Sequence, residues 1–156
     1  MAVVRQAIRA DAPEIARLLH DFNLEFGDPS PGVEVLTGRI VECIEGDLKS
    51  YLLGAEDGGE PVGVAQVSFV RSIWRERPLA HLDELYVAPA SRGRGVGRAL
   101  MTALLALARE RGACGLEVVT GEDDAEARAL YESVGMRNEI EGAENSRALF
   151  YELELE

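Results

Sequence analysis

The chain has 156 residues, 47% of them apolar and 28% charged, enough for one domain with a sizeable core and too few for two. Sixteen basic against 28 acidic side chains leave a net charge of −12, which disfavours binding to nucleic-acid phosphates or to anionic membranes. No apolar run approaches the roughly 18 residues needed to span a bilayer.

The N-terminal stretch MAVVRQAIRADAPEI lacks the apolar segment and cleavage site of a signal peptide, so a cytoplasmic setting is expected. Cys43 and Cys114 lie far apart without paired spacing and read as two buried thiols. His20 and His81 sit in no metal-ligand pattern, and no metal is expected.

In chain order, VVRQAI (3–8) reads as a strand. A helix follows with Asp11 as its cap, Pro13 in the first turn and Glu14 completing a capping box. Its apolar positions Ile15, Leu18, Leu19 and Phe22 recur at helical spacing. After the loop GDPSPG comes a second helix, VEVLTGRIVECIEG, then two strands, KSYLLGAED and EPVGVAQVSFVRS, joined by a hairpin over DGGE. A third strand, AHLDELYV (80–87), runs into the turn SRGRGVG. The helix VGRALMTALLALARERG stops at Gly112, CGLEVVT is a buried strand, and DDAEARALYESVG is a helix closed by Gly135. MRNEIE, a turn around GAEN, and RALFYELELE end the chain as a hairpin. Strands paired at both ends around a strand–helix–strand–helix section make a mixed α/β domain with a partly antiparallel sheet, one domain over 1–156.

A strand, a glycine-rich turn and a helix N-terminus together suit a phosphate: free amides point outward, the helix dipole adds positive charge, and missing side chains let an anion approach. The dinucleotide fingerprint would need a glycine where Arg98 stands, and the P-loop would need a Lys followed by Ser or Thr; neither is present. Arginines accumulate here although cations are unfavourable at a helix start, which argues for an anionic partner.

Arg92-Gly93-Arg94-Gly95-Val96-Gly97 fits Q/R-x-x-G-x-G/A and resembles the pyrophosphate-binding motif of the GNAT N-acetyltransferases, which use acetyl-CoA. LDELYVAPASRGRGVGRALM is similar to that family's central strand, loop and helix without a gap, and EARALYESVGM to its A-x-x-L-Y helix and turn. The resemblance covers essentially the whole chain. It implies that backbone groups of Leu85, Tyr86 and Val87 hold the pantetheine arm and acetyl carbonyl. It also implies that Gly93, Gly95, Val96 and Gly97 bind the pyrophosphate, with Arg92, Arg94 and Arg98 beside its charge. Asp124 stands where the family often has an Asn that contacts the pantetheine; a carboxylate accepts a hydrogen bond there but does not donate one.

By the same resemblance Tyr131 matches the usual general acid, which protonates the CoA sulfur; it falls equally on a helical core stripe with Ala127, Leu130 and Val134. For the general base, Asp83 and Glu84 lie on the strand entering the site. Strand alternation puts them on opposite faces, so that one reaches the acceptor; Glu84 comes first and Asp83 second, against the alternative of two acids solvating a strand end.

The acceptor is sought among Phe22, Glu25 and Phe26, with Asp21, Asp28 and Glu34 nearby, and Trp74 between two strands. Carboxylates among aromatics suit a small cationic amine such as a polyamine or aminoglycoside. They are also what a helix with one solvated and one core face would carry. A protein lysine or N-terminal acetyltransferase, and a non-catalytic acyl-CoA-binding module, stay open beside a small-molecule N-acetyltransferase. The resemblance also allows a homodimer.

Overall fold

A computed structural model describes residues 1–139 and 148–155. Met1–Val118 forms one compact unit and Val119–Glu156 a second.

The first unit is a five-stranded sheet in the order β1 (Ala2–Gln6), β2 (Ser50–Glu56), β3 (Pro61–Val70), β4 (Leu79–Val87), β5 (Leu116–Val118). The first three pairings are antiparallel, and β4–β5 is parallel. That geometry follows from the connections: a short turn joins β2 to β3, while β4 reaches β5 through a helical crossover. Helices α1 (Ala12–Phe26) and α2 (Val33–Glu45) cover one face, where Ile15, Leu18 and Ile40 pack with Tyr51, Leu53, Val64 and Tyr86. Helix α3 (Val96–Glu110) covers the other with the buried side chains of Val96, Leu100, Met101 and Leu104. In the second unit α4 (Ala125–Ser133) starts at Asp124, whose Oδ1 accepts from the Ala127 amide at 3.1 Å, and a left-handed Gly135 follows.

Several details depart from the sequence reading. Asp11 does not cap α1: its carboxylate accepts from the Ile8 amide at 2.8 Å and pairs with Arg5, while Glu14 pairs with Arg17, so no capping box forms. The strand expected over 114–120 shortens to three residues and is half-buried to exposed, because it stands at the sheet edge. Cys43 and Cys114 are free thiols and only half-buried. Of the terminal hairpin expected over 136–156, residues 140–147 and 156 lie outside the described residues, and 148–155 hold no regular element. No helix among the described residues is long and apolar enough to cross a membrane.

Helix α3 approaches the sheet closely at Gly63. A β-carbon there would stand 3.0 Å from both Leu100 Cδ1 and Val96 Cγ1, and 3.2 Å from the Tyr86 carbonyl oxygen. Gly63→Ala should therefore cost about 1–3 kcal/mol of stability through overpacking. The measurement is urea unfolding, where the midpoint falls at unchanged slope.

Candidate active site

Strand β4 is the middle of the site, and its pairing is irregular on both sides. Against β3 the register runs Ser68–His81 and Val67–Leu82, then resumes at Gln66–Glu84, leaving Asp83 without an opposite residue. Against β5 the pairing ends at Leu82–Val118, although β4 continues to Val87. A bulge and the end of a ladder thus coincide, and from Asp83 onward one edge of β4 has no strand partner among the described residues.

The bulge changes where the two acids point. Simple alternation would set Asp83 and Glu84 on opposite faces, but the extra residue cancels one alternation. Asp83 Oδ2 accepts from Ser68 and from Gln66, and Gln66 is the register partner of Glu84. Both carboxylates therefore share the face that Val64, two residues from Gln66, presents to α1 and α2.

Their surroundings differ sharply. Asp83 Oδ2 also accepts from Lys49 Nζ at 2.8 Å, and Oδ1 lies 2.9 Å from His81 Nδ1. Burial pushes the Asp83 carboxyl up, but hydrogen bonds from Lys49, Ser68 and His81 together outweigh it and hold the group below its usual value. The Glu84 side chain makes no hydrogen bond or ion pair among the described residues. Burial raises it first, the charge of Asp83 adds to the rise, and Lys49 opposes it in part. Asp83 is thus held as an anion by its donors, while burial and the neighbouring charge favour the protonated form of Glu84 more than in a free carboxyl. Sequence reasoning missed Lys49, Gln66, Ser68 and His81. Polar Gln66, Ser68 and His81 at same-face positions of two strands were the available signal; Lys49, directly ahead of β2, gave none.

Beyond β4 the chain enters the glycine turn. Gly93 and Gly95 take left-handed conformations, at φ 73° and 86°, that disfavour other residues, and nothing lies within 4 Å of where a β-carbon would stand at either. The amides of Ser91 and Arg92 bond back to Ala88 and Pro89, and the Ala99 amide opens the α3 ladder at Gly95. Between them the amides of Gly93 to Arg98 make no backbone hydrogen bond among the described residues, and α3 has no acid in its first turn. Open, unpaired amides at a helix N-terminus fit a pyrophosphate.

The arginines divide. Arg98 is exposed with no ion pair among the described residues, and Arg94 pairs with Glu56 at 2.9 Å. Hydrogen bonds from Ser91 and Arg94 hold the Glu56 carboxyl below its usual value. Arg92 turns to α1 instead: it pairs with Glu25 at 2.6 Å, lies over the Tyr86 ring at 5.7 Å, and donates from Nε to the Val87 carbonyl at 2.9 Å. That contact occupies one of the backbone oxygens expected to face the pantetheine.

The acceptor-side residues partly assemble. Phe22 stacks on Tyr86 with ring centroids 5.2 Å apart, Phe26 meets Phe22 edge-on at 5.3 Å, and the Tyr86 hydroxyl donates to Glu25 at 3.3 Å. Trp74 is not among them; it is 87% exposed in the loop between β3 and β4. In the second unit, Tyr131 is buried on α4, and Asp124 spends its carboxylate on the helix cap and on Thr120.

A sheet whose fourth strand loses one neighbour part-way along, beside an amide-lined turn at a helix N-terminus, is an arrangement that suits a ligand carrying both amide groups and a pyrophosphate. Residues 14–136 match the family model of the GNAT acetyltransferases, and the chain belongs to that family, whose members take the acetyl group from acetyl-CoA. An aminoglycoside N(6')-acetyltransferase type 1 of Stenotrophomonas maltophilia is 32% identical over 157 residues, covering 98% of this chain and 94% of its own length. N-acetyltransferase family 8 member 2 of Rattus norvegicus is 32% identical over 108 residues, and there the chain spans only 48% of the relative's length. Among solved structures, a chain assigned as an acetyltransferase from Arthrobacter sp. FB24 superposes with a TM-score of 0.88 at 40% identity, covering 98% of this chain and 96% of the other.

The two carboxylates should oppose each other in stability. Glu84, raised in the fold, costs stability that is fully present above its folded value and vanishes below its unfolded one, so Glu84→Gln should stabilise the protein near neutral pH and lose that advantage on acidification. Asp83, lowered, contributes stability above its unfolded value that is lost as pH falls through the folded one, so Asp83→Asn should destabilise at neutral pH. Urea midpoints between about pH 3 and 8 read both signs.

Proposed function

We propose that the chain N-acetylates a small amine carrying more than one positive charge. Glu84 takes the proton of the incoming ammonium, directly or through a water, and Tyr131 protonates the departing sulfur. Acetyl-CoA supplies the acetyl thioester; the open amides of Gly93 to Arg98 bind its pyrophosphate, and the free edge of β4 at Leu85 and Tyr86 lies along its pantetheine. The observation that carries this reading is the bulge: two carboxylates on one face beside an unpaired strand edge, with Glu84 half-buried, unpartnered and raised. A carboxylate raised from its usual value is a stronger proton acceptor than a free one. The aminoglycoside acetyltransferase relative, matched over nearly its whole length, supports a small polycationic acceptor over a peptide. Two free thiols support a reducing, cytoplasmic setting.

Two mutants separate donor binding from chemistry. Gly97→Asp adds a side chain and a negative charge beside the open amides while remaining favourable to the helix dipole. It should abolish acetyl-CoA binding by calorimetry in a folded protein. Tyr131→Phe should keep acetyl-CoA affinity and lower kcat by about 10²- to 10⁴-fold, the usual range for a general acid. Unchanged kcat with chemistry rate-limiting would return Tyr131 to core packing.

The acceptor is tested by comparing a diamine with a monoamine of similar length. A carboxylate bonded to the second ammonium contributes about 1.5–3 kcal/mol, which at about 1.4 kcal/mol per decade is roughly tenfold to a hundredfold in kcat/KM. The preference should survive moderate salt, because mere attraction by surface acids is screened over about 8 Å. Loss of preference with salt means steering alone, and no preference at all points to peptide acceptors.

A further inference from the structure

We propose that His81 is a second proton acceptor of this site, fixed in one tautomer by Asp83, and that it carries the proton from Glu84 to solvent. The inference rests on the acetyl-transfer reading above. His81 Nδ1 lies 2.9 Å from Asp83 Oδ1, an oxygen with no other partner, while Lys49, Ser68 and Gln66 share Oδ2. An ionised carboxylate only accepts, so Nδ1 bears the hydrogen and the lone pair is left on Nε2. Nε2 has no hydrogen bond among the described residues, and the side chain is 35% exposed. His81 shares the face of the two acids through its register partner Ser68.

Each turnover leaves one proton at this site. One ammonium and one thioester become one amide, one thiol and one proton. The N–C bond forms as the C–S bond breaks, and sulfur leaves with its electron pair and takes a proton from Tyr131. The second nitrogen proton restores Tyr131. The first, removed from the ammonium while its electron pair stays on nitrogen, sits on Glu84 and must leave before the next turnover. Both side chains are half-buried, and His81, on the same face as Glu84 and with its Nε2 without a partner among the described residues, gives that proton a second acceptor on its way out. Water bridges the gap from Glu84 to Nε2, and bulk water takes the proton from there.

The charged and titratable groups facing His81 are Lys49 ahead of β2, Tyr51 in β2 with Cys43 of α2 bonded to it, Asp83 and Glu84 in β4, and Glu117, its register partner in β5.

His81→Asn keeps a nitrogen donor for Asp83 and deletes the second ring nitrogen. Acetyl-CoA affinity should not change, and kcat near pH 7 should fall at least about tenfold, at or below the low end of general acid–base effects. The deficit should close as pH rises, where hydroxide drains Glu84 and the amine deprotonates itself. Added imidazole should restore part of the rate in His81→Ala. A His81→Asn enzyme with wild-type kcat and pH profile overturns the proposal. So does a loss independent of pH that tracks a lowered urea midpoint, which marks a structural role. His81→Gln serves as a second variant should Asn not fold. Glu84→Gln run alongside keeps the readings apart: full activity in that mutant removes the base assignment, whereas an impaired Glu84→Gln with an unaffected His81→Asn removes the relay alone.

Discussion

Strand β4 is required to do two incompatible things along nine residues: to lie inside a sheet as far as Leu82, and to leave one edge open from there to Val87. The inserted residue Asp83 accommodates both. It ends the regular ladder with β3 for one position, at the point where β5 stops, so the irregularities are gathered in one place. The flanking pairs resume at once, and Val64 and Tyr86 return to the core beneath α1 and α2. An open edge elsewhere in the sheet would be an invitation to aggregate; beside a bulge it becomes a surface to which a ligand's amide groups can bond.

The same insertion explains how adjacent carboxylates come to differ. Placed on one face, they would raise each other if their surroundings were equal. Four donors converge on Asp83 and none on the Glu84 side chain among the described residues, so the repulsion falls on one partner, and the pair is divided into a fixed anion and a carboxyl whose protonated form is favoured. Lys49 has a double role in this: its bond to Asp83 keeps that group charged, and its positive field tempers the rise at Glu84. The conflict between a half-buried acid and stability is a feature of functional sites, and here it is confined to one side chain.

What the sequence disclosed was whatever depends on local pattern. The glycine turn, the crossover helix and the first five of the seven expected strands follow from spacing and from residues that few conformations tolerate, and these are present. Bulges are invisible to a rule that counts by twos, so the alternation argument separated Asp83 from Glu84 when a single unpaired residue brings them together. Asp11 misled for a related reason: an acid three residues before Glu14 has the pattern of a capping box, but Arg5 and the Ile8 amide, fixed by β1, offer it better partners. Trp74 stood out by residue type alone, and nothing local reveals that its loop leaves it in solvent. Arg92 belonged by motif to the phosphate turn, and only the packing of α1 against β4 gives its guanidinium other partners.

Those partners redistribute charge between the two halves of the site. Glu25 and Asp21 were the acids that made α1 look like a cation-binding helix, yet Glu25 is neutralised by Arg92 and Asp21 shares Arg17 with Glu14. The aromatic group of Phe22, Phe26 and Tyr86 therefore sits beside a compensated ion pair, which fixes the end of α1 to the turn and leaves little free charge there. Among the described residues, negative charge without an ion-pair partner remains in this region at Asp28 and Glu34, exposed on the loop and at the start of α2, and at Glu84 on the strand. The free carboxylates of this part of the chain thus lie at two separated places, the loop and helix start that follow α1 and the bulge of β4, so that α1 itself contributes packing and a compensated ion pair rather than open charge.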